Sequence, residues 1–356
     1  PRRASPFGLA LPGYCPSPLV PPFPNREKED PVMPLPTVKR RATAVATGLL
    51  VTAFGLAACS APAAAPSASP SASAPASQTR QVETNDGTVT VPANPQRVVA
   101  LVNAALAYLD MGGKPVGITG VDEGTLADLP AEQQAAYRAA TNVATSSGEI
   151  DLEKVASLKP DVIVIQTGDS QYGKIGDELK AIAPVVFLNH ESDWKFRVEA
   201  FAGAGNLLDT LNQQKAKYQQ LTTSIKQNYA DVLKTAKIVE TYRFAGAEAG
   251  QFAINQSLCA EAVKEEGIVN FEASAPMSFE QIGKLAKYDL ILYNARSDGQ
   301  PTAGIQPLLD TNAWKLLPAV KAGHAKPVYC PWGRSYGFMA KYLEGLDQAL
   351  ATLPKK

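Results

Sequence analysis

Apolar positions along this chain fall into three patterns: short blocks of β-branched residues, amphipathic stretches with a period of three to four, and one long proline-free helical stretch, Ser192–Thr235. In the second half of that stretch Tyr218, Leu221, Ile225, Tyr229 and Val232 draw a single apolar stripe. Gln213, Gln214, Lys217, Gln220, Lys226 and Asp231 occupy the other faces and suit water. A continuous helix over Leu211–Thr235 would be about 37 Å long, enough to cross a small domain. Strand and helix patterns alternate on both sides of it. The arrangement predicts two α/β lobes, 79–191 and 236–356, joined by a rigid helical connector over 192–235, with a ligand cleft between the lobes. One large α/β domain, with this as its longest helix, is the alternative.

In the first lobe Val82–Val91 reads as a hairpin turned at Asn85-Asp86-Gly87. Arg97–Val102, Pro115–Ile118, Asp161–Ile165 and Pro184–Leu188 read as buried parallel strands, with helices at Ala104–Met111, Leu152–Leu158 and Tyr172–Ile182. In the second lobe, strands are expected at Lys237–Phe244, Tyr288–Tyr293 and Lys326–Cys330, with an extended piece at Gln251–Asn255. Helices are expected at Ser257–Glu266, at Ser278–Ala286 with a Ser278/Gln281 capping box, and at Phe338–Leu353.

The front of the chain has no such periodicity. Pro1–Val32 is proline-rich and reads as a non-native extension before a start at Met33. Lys39, Arg40 and Arg41 then precede the uncharged run Ala42–Gly55, which is short for a bilayer span. Leu56-Ala57-Ala58-Cys59 follows and resembles the bacterial lipobox. That resemblance implies a lipoprotein signal peptide over 33–58, with lipid on Cys59 holding the mature chain on the membrane. An ordinary secretory signal is the alternative. Ser60–Ser77 contains only alanine, proline and serine, so 59–78 is expected to be a disordered tether.

Seven of the 34 basic and three of the 34 acidic residues precede Cys59; the remainder carries 27 against 31, a net charge near −4. This is no nucleic-acid footprint. Beyond Cys59 only Cys259 and Cys330 remain, and an exported chain favours their pairing over two buried thiols.

Three segments then stand out: the opening Val89–Ala100 (VTVPANPQRVVA), Leu152–Asp161 (LEKVASLKPD) and Phe279–Asp289 (FEQIGKLAKYD). Together they resemble the iron–siderophore substrate-binding lipoproteins of bacterial ABC importers. The resemblance covers Thr79–Leu353. It implies two lobes clamped by one long helix, and a monomer that captures a ferric siderophore and delivers it to a permease and its ATPase. It further implies that Glu153 and Glu280, one on each lobe, dock on the permease. It implies no intrinsic cofactor, since in that family the siderophore supplies the iron ligands.

The ligand is expected at the carboxyl ends of the strands and in the loops after them. Arg243, Arg334 and Arg296 are the candidate donors to chelate oxygens; Trp332, Tyr336, Trp194 and Tyr172 are the candidate packing surfaces. His190, Tyr242 and Asn255 complete the set. With no dense Lys/Arg cluster in the cleft loops, a near-neutral hydroxamate is favoured over a highly charged catecholate or citrate complex. A haem or corrinoid binder is the runner-up, with His190, Tyr172 or Tyr336 as axial ligand. An exported hydrolase is remote, since no Gly-x-Ser-x-Gly elbow occurs.

Overall fold

A hairpin, β1 (Thr79–Thr84) and β2 (Gly87–Pro92), begins the described chain, with Gly87 at φ +96° closing its turn. The computed structural model describes residues 78–243, 248–331 and 333–354, all within one compact unit, Ser71–Lys356. The proposed extension, signal peptide, Cys59 and nearly all of the tether lie outside the described residues, as does Trp332.

The first lobe follows: β3 (Val98–Val102), α1 (Ala104–Asp110), β4 (Gly117–Thr119), α2 (Glu123–Asp128), α3 (Ala131–Ala139) and β5 (Thr141–Ala144). Next come α4 (Leu152–Ser157), β6 (Val162–Gln166), α5 (Asp169–Ile182) and β7 (Val185–Leu188). The five strands are parallel in the order β5-β4-β3-β6-β7. Alternate residues serve opposite faces: Val98, Ala100, Val162, Val164, Val186 and Leu188 join one core, Val99, Leu101, Ile163, Ile165, Val185 and Phe187 another. Burial on both faces is what unbroken β-branched runs require. The chain leaves β3 toward β4 and β5 on one side and then fills β6 and β7 on the other. The switch point therefore lies at the carboxyl ends of β3 and β6, where open α/β sheets bind ligands.

The connector departs from expectation. Instead of one rigid rod, the stretch forms α6 (Trp194–Gly205), α7 (Leu208–Asn228) and α8 (Ala230–Thr235). The first break is at Asn206, which adopts φ 57°; its side chain is held by Arg80 and by Asn94 Oδ1 at 2.8 Å. The second is at Tyr229, whose φ of −121° leaves the helical region. α6 packs on the first lobe, against β6, β7 and α1, so α7 is the strut proper, about 31 Å long for its 21 residues. Leu211, Tyr218 and Ile225, seven residues apart, bury its stripe.

The second lobe holds β8 (Ile238–Tyr242), β9 (Gln251–Ile254), α9 (Leu258–Glu265) and β10 (Ala275–Ser278). After a 3-10 helix (Phe279–Lys287) come β11 (Leu290–Ala295), α10 (Gln306–Leu309), α11 (Asn312–Lys315), α12 (Pro318–Lys321), β12 (Ala325–Tyr329) and α13 (Tyr336–Leu350). The sheet order is β10-β9-β8-β11-β12, parallel through β8, β11 and β12 but antiparallel at β9 and β10. Ser278 and Gln281 form the expected capping box, although the turn they start is 3-10 rather than α. α13 packs along α7 and β12. Cys259 on α9 is bonded to Cys330 after β12, with Cα atoms 6.0 Å apart.

The lobes share apolar contacts beside the strut. Leu106 and Leu109 of α1 pack in one cluster with Tyr329 and Phe338 of the second lobe. Trp194, Tyr218 and Tyr336, one from each of α6, α7 and α13, have ring centroids 5.0–6.0 Å apart. These contacts would have to break for the lobes to open widely.

Candidate functional site

A cavity of about 640 Å³ opens between the lobes, a size suited to a small-molecule ligand. Its first-lobe wall is made of strand ends. Asn103 follows β3, Gln166 ends β6, and His190–Asp193 follow β7, all on the carboxyl side of the sheet. Val102, just before Asn103, is held at φ 53°. A β-branched residue there is strained by about 1–3 kcal/mol, and such strain gathers at functional sites. Asp193 caps α6, accepting from the amides of Lys195 (2.9 Å) and Phe196 (3.1 Å). One turn on, Arg197 donates to the carbonyls of His190 (3.0 Å) and Ser192. Burial, then the Arg197 charge, lower the His190 pKa, so its ring is neutral at neutral pH.

The second-lobe wall is made differently. Leu258, Glu261 and Glu265 lie three and four residues apart on one face of α9, and Gly333 and Arg334 approach from the loop before α13. Arg334 is 12% exposed; its guanidinium bonds Glu261 at 2.6 Å and Glu265 at 3.4 Å. The described lining thus carries four carboxylates (Glu191, Asp193, Glu261, Glu265) against two guanidiniums, each already engaged. Ser257 starts α9 by accepting from Ala260 N at 3.0 Å and gives its own hydrogen to Glu240 at 2.6 Å. Complete burial pushes the Glu240 carboxyl up to about 7, despite that hydrogen bond.

Of the residues singled out in the sequence, Arg334, Trp194 and His190 line this cavity. Trp194 contributes the apolar surface and is nearly buried. The others go elsewhere. Arg243 donates to the carbonyls of Gln251 (3.0 Å), Gly304 (3.2 Å) and Glu248 (3.2 Å), bracing the loop after β8. Arg296 pairs with Asp298 at 3.3 Å in a loop whose Ser297 amide reaches the Asp128 carbonyl of the first lobe. Tyr172 is stacked flat on Phe187, centroids 3.7 Å apart, in the core beneath the sheet. Tyr336 sits behind Trp194, and burial pushes its phenol up to about 12. Tyr242 is half-buried in the second lobe, where desolvation raises its phenol. Asn255, at φ 52°, clips β8 to the chain after β9 through Glu240 N (2.9 Å) and Glu272 O (3.3 Å). Glu153 and Glu280 are exposed, one on α4 and one on the 3-10 helix, both outside the cavity. Arg197, Glu261 and Glu265 join the lining without a place among the sequence candidates. The Leu258/Glu261/Glu265 stripe on α9 was the signal available for the last two.

Among the described residues no group of His, Cys, Asp and Glu is placed to hold a metal ion, and no helix is long and apolar enough to cross a membrane.

Comparison with known proteins places this architecture. A Bacillus subtilis protein, YhfQ, whose name describes an ABC-transporter substrate-binding lipoprotein, is 26% identical over 289 residues, 76% of this chain and 86% of YhfQ. The iron(3+)-hydroxamate-binding protein FhuD of the same organism is 27% identical over 264 residues, 70% of this chain and 78% of its own. The solved structure of the siderophore periplasmic binding protein from the fuscachelin gene cluster of Thermobifida fusca superposes with a TM-score of 0.64 at 25% identity. That match covers 74% of this chain and 99% of the other. Such relatives are transport components, not enzymes, which removes the hydrolase alternative. The family model for periplasmic binding proteins matches residues 98–326, and the chain belongs to that family.

Proposed function

We propose that this protein is the extracytoplasmic substrate-binding subunit of an ABC importer, that it captures a ferric siderophore of hydroxamate type, and that it delivers the complex to a permease. The observation that carries this reading is the interlobe cavity, sized for a small molecule and placed at the switch point of the first sheet. The names of its relatives, which include binders of ferric hydroxamate, ferric citrate and petrobactin, support a ferric chelate as the ligand without choosing among these types. The charge of the lining supports the chelate. Hydroxamates neutralise ferric iron, whereas catecholates and citrate leave the complex anionic. An anionic complex would meet four carboxylates, and two guanidiniums that it must first detach from their partners. A near-neutral hydroxamate complex meets the same carboxylates without that repulsion, with Arg334 and Trp194 on the lining it would enter.

Haem is less well served. Tyr172 and Tyr336 are packed away from the cavity, and only His190 of the proposed axial ligands lines it. Glu153 and Glu280, exposed on separate lobes, suit docking to basic sites on a permease. Lipid on Cys59 would hold the protein on the outer face of the membrane, with residues 59–78 as tether.

The test is a titration of intrinsic tryptophan fluorescence in the purified protein with ferrioxamine B, its iron-free form, ferric citrate and haemin. Trp194 lines the cavity and reports its occupancy. Saturable quenching at sub-micromolar ferrioxamine B is expected, with the iron-free and citrate forms weaker. Tighter binding of ferric citrate would reject the hydroxamate assignment. A Soret shift with haemin alone would reject the siderophore.

A further inference from the structure

Asp110, at the end of α1, is 8% exposed and takes no part in the cavity lining. Its carboxylate reaches out of the first lobe. Oδ2 accepts from the Ser335 hydroxyl at 2.5 Å and from the Phe338 amide at 3.2 Å, so it shares with Ser335 the capping of α13 in the second lobe. Oδ1 accepts from Gln133 of α3 at 3.1 Å, and the Asp110 carbonyl accepts from Gln214 of the strut at 2.7 Å. One residue thus joins both lobes and the helix between them. Gly337 leaves room for it, since a Cβ there would collide with the carboxylate.

Ser335 directly follows Arg334. At the other end of this loop Cys330 is bonded to Cys259 on α9, the helix that also carries Glu261 and Glu265. Arg334 therefore lies between a covalent anchor in the second lobe, at Cys330, and a carboxylate from the first, at Ser335. We propose that Asp110 is the positioning residue that transmits the relative placement of the lobes to Arg334, through Ser335. In this way closure around a ligand and aiming of the Arg334 guanidinium become one event. The assignment rests on the interlobe cavity being the ligand site. A carboxylate so deeply buried is costly to keep; burial pushes it up to about 6 against the Ser335, Gln133 and Phe338 hydrogen bonds and the nearby Lys341. An apolar residue would pack this helix junction without that cost.

The experiment measures ferrioxamine B affinity and melting temperature in Asp110→Ala, Asp110→Asn, Ser335→Ala and the Asp110→Ala/Ser335→Ala double variant. Leu346→Ala is the control. It lies in the α13 core and away from the loop. We expect Asp110→Ala to weaken binding about tenfold or more, and the double variant to be no worse than Asp110→Ala, the non-additivity of a shared contact. Asp110→Asn keeps an acceptor oxygen and should bind within about threefold of the native protein. Leu346→Ala should lower the melting temperature without moving affinity. Unchanged affinity in Asp110→Ala, additive effects in the double variant, or equal weakening by Leu346→Ala would each overturn the assignment. If Asp110→Ala does not fold, Ser335→Ala decides, and native affinity there overturns it. If the native protein binds no ferric siderophore, the functional reading fails and this inference fails with it.

Discussion

The two walls of the cavity are built on different principles. The first-lobe wall is a consequence of topology: a parallel sheet with its switch point at β3 and β6 presents Asn103, Gln166 and His190 from strand ends. The sheet sets where they emerge, and local hydrogen bonds involving Arg197, Asn85 and Asn189 hold the loop after β7. The second-lobe wall is a helix face and a loop, Glu261 and Glu265 on α9 and Arg334 before α13, and neither is held by a ladder of strand hydrogen bonds. It is held by three devices instead: the Cys259–Cys330 bond, the Glu240–Ser257 contact under the start of α9, and the Asp110–Ser335 contact from the opposite lobe. A wall that depends on discrete ties can be adjusted by them, and can also be broken one tie at a time.

The largest break should come from the disulfide. Replacing both cysteines by serine, Cys259→Ser/Cys330→Ser, is expected to cost about 2–4 kcal/mol in denaturant unfolding, and to weaken ligand binding through Arg334 more than through the first-lobe wall. Glu240 sharpens the contrast by pH. Its carboxyl is raised from 4.5 to about 7 in the folded protein, so the stability it contributes is complete below the unfolded value and lost as pH rises through about 7. Between pH 4 and pH 8 the stability of the native protein should therefore fall relative to Glu240→Gln, by up to about 3 kcal/mol. Melting curves with no such divergence would contradict the buried, raised carboxyl.

Next in size is the ligand contact itself. Arg334→Ala is expected to weaken ferrioxamine B about tenfold or more, whereas Arg243→Ala should lower stability and leave affinity nearly intact, because that guanidinium serves backbone carbonyls, among them those of Gln251, Gly304 and Glu248. Equal losses of affinity would erase the distinction between wall and brace. The smallest effect belongs to the connector. Asn206→Ala places an alanine at φ 57° and should cost about 1–2 kcal/mol in thermal melts, with Asn206→Gly close to neutral.

The same difference between walls explains what could be read from the sequence. Parallel strands such as Val162–Gln166 announce themselves by β-branched runs buried on both faces, and the loops after them were therefore expected at the site, as His190 illustrates. The capping box at Ser278 is equally local. The helices of the 119–147 region give little sequence signal because they bury little: Leu126 in α2, and Gln133 and Tyr137 in α3. The break at Asn206 hides inside a stretch whose periodicity is otherwise helical, although Gly205-Asn206 is a turn-prone pair. Arg243, Tyr172, Tyr336 and Asn255 carry the residue types of a binding loop, but backbone carbonyls, stacking and a strand clip absorb them. The Asp110–Ser335 contact joins residues 225 positions apart, a pairing that no local pattern encodes.

The most direct measurement is amide hydrogen exchange of the purified protein with and without ferrioxamine B. The interlobe account predicts added protection on both walls together, at residues 190–197, 258–265 and 333–336. Protection confined to the second-lobe groove around Lys287, Asp289 and His324, or no change at saturating ligand, would contradict it.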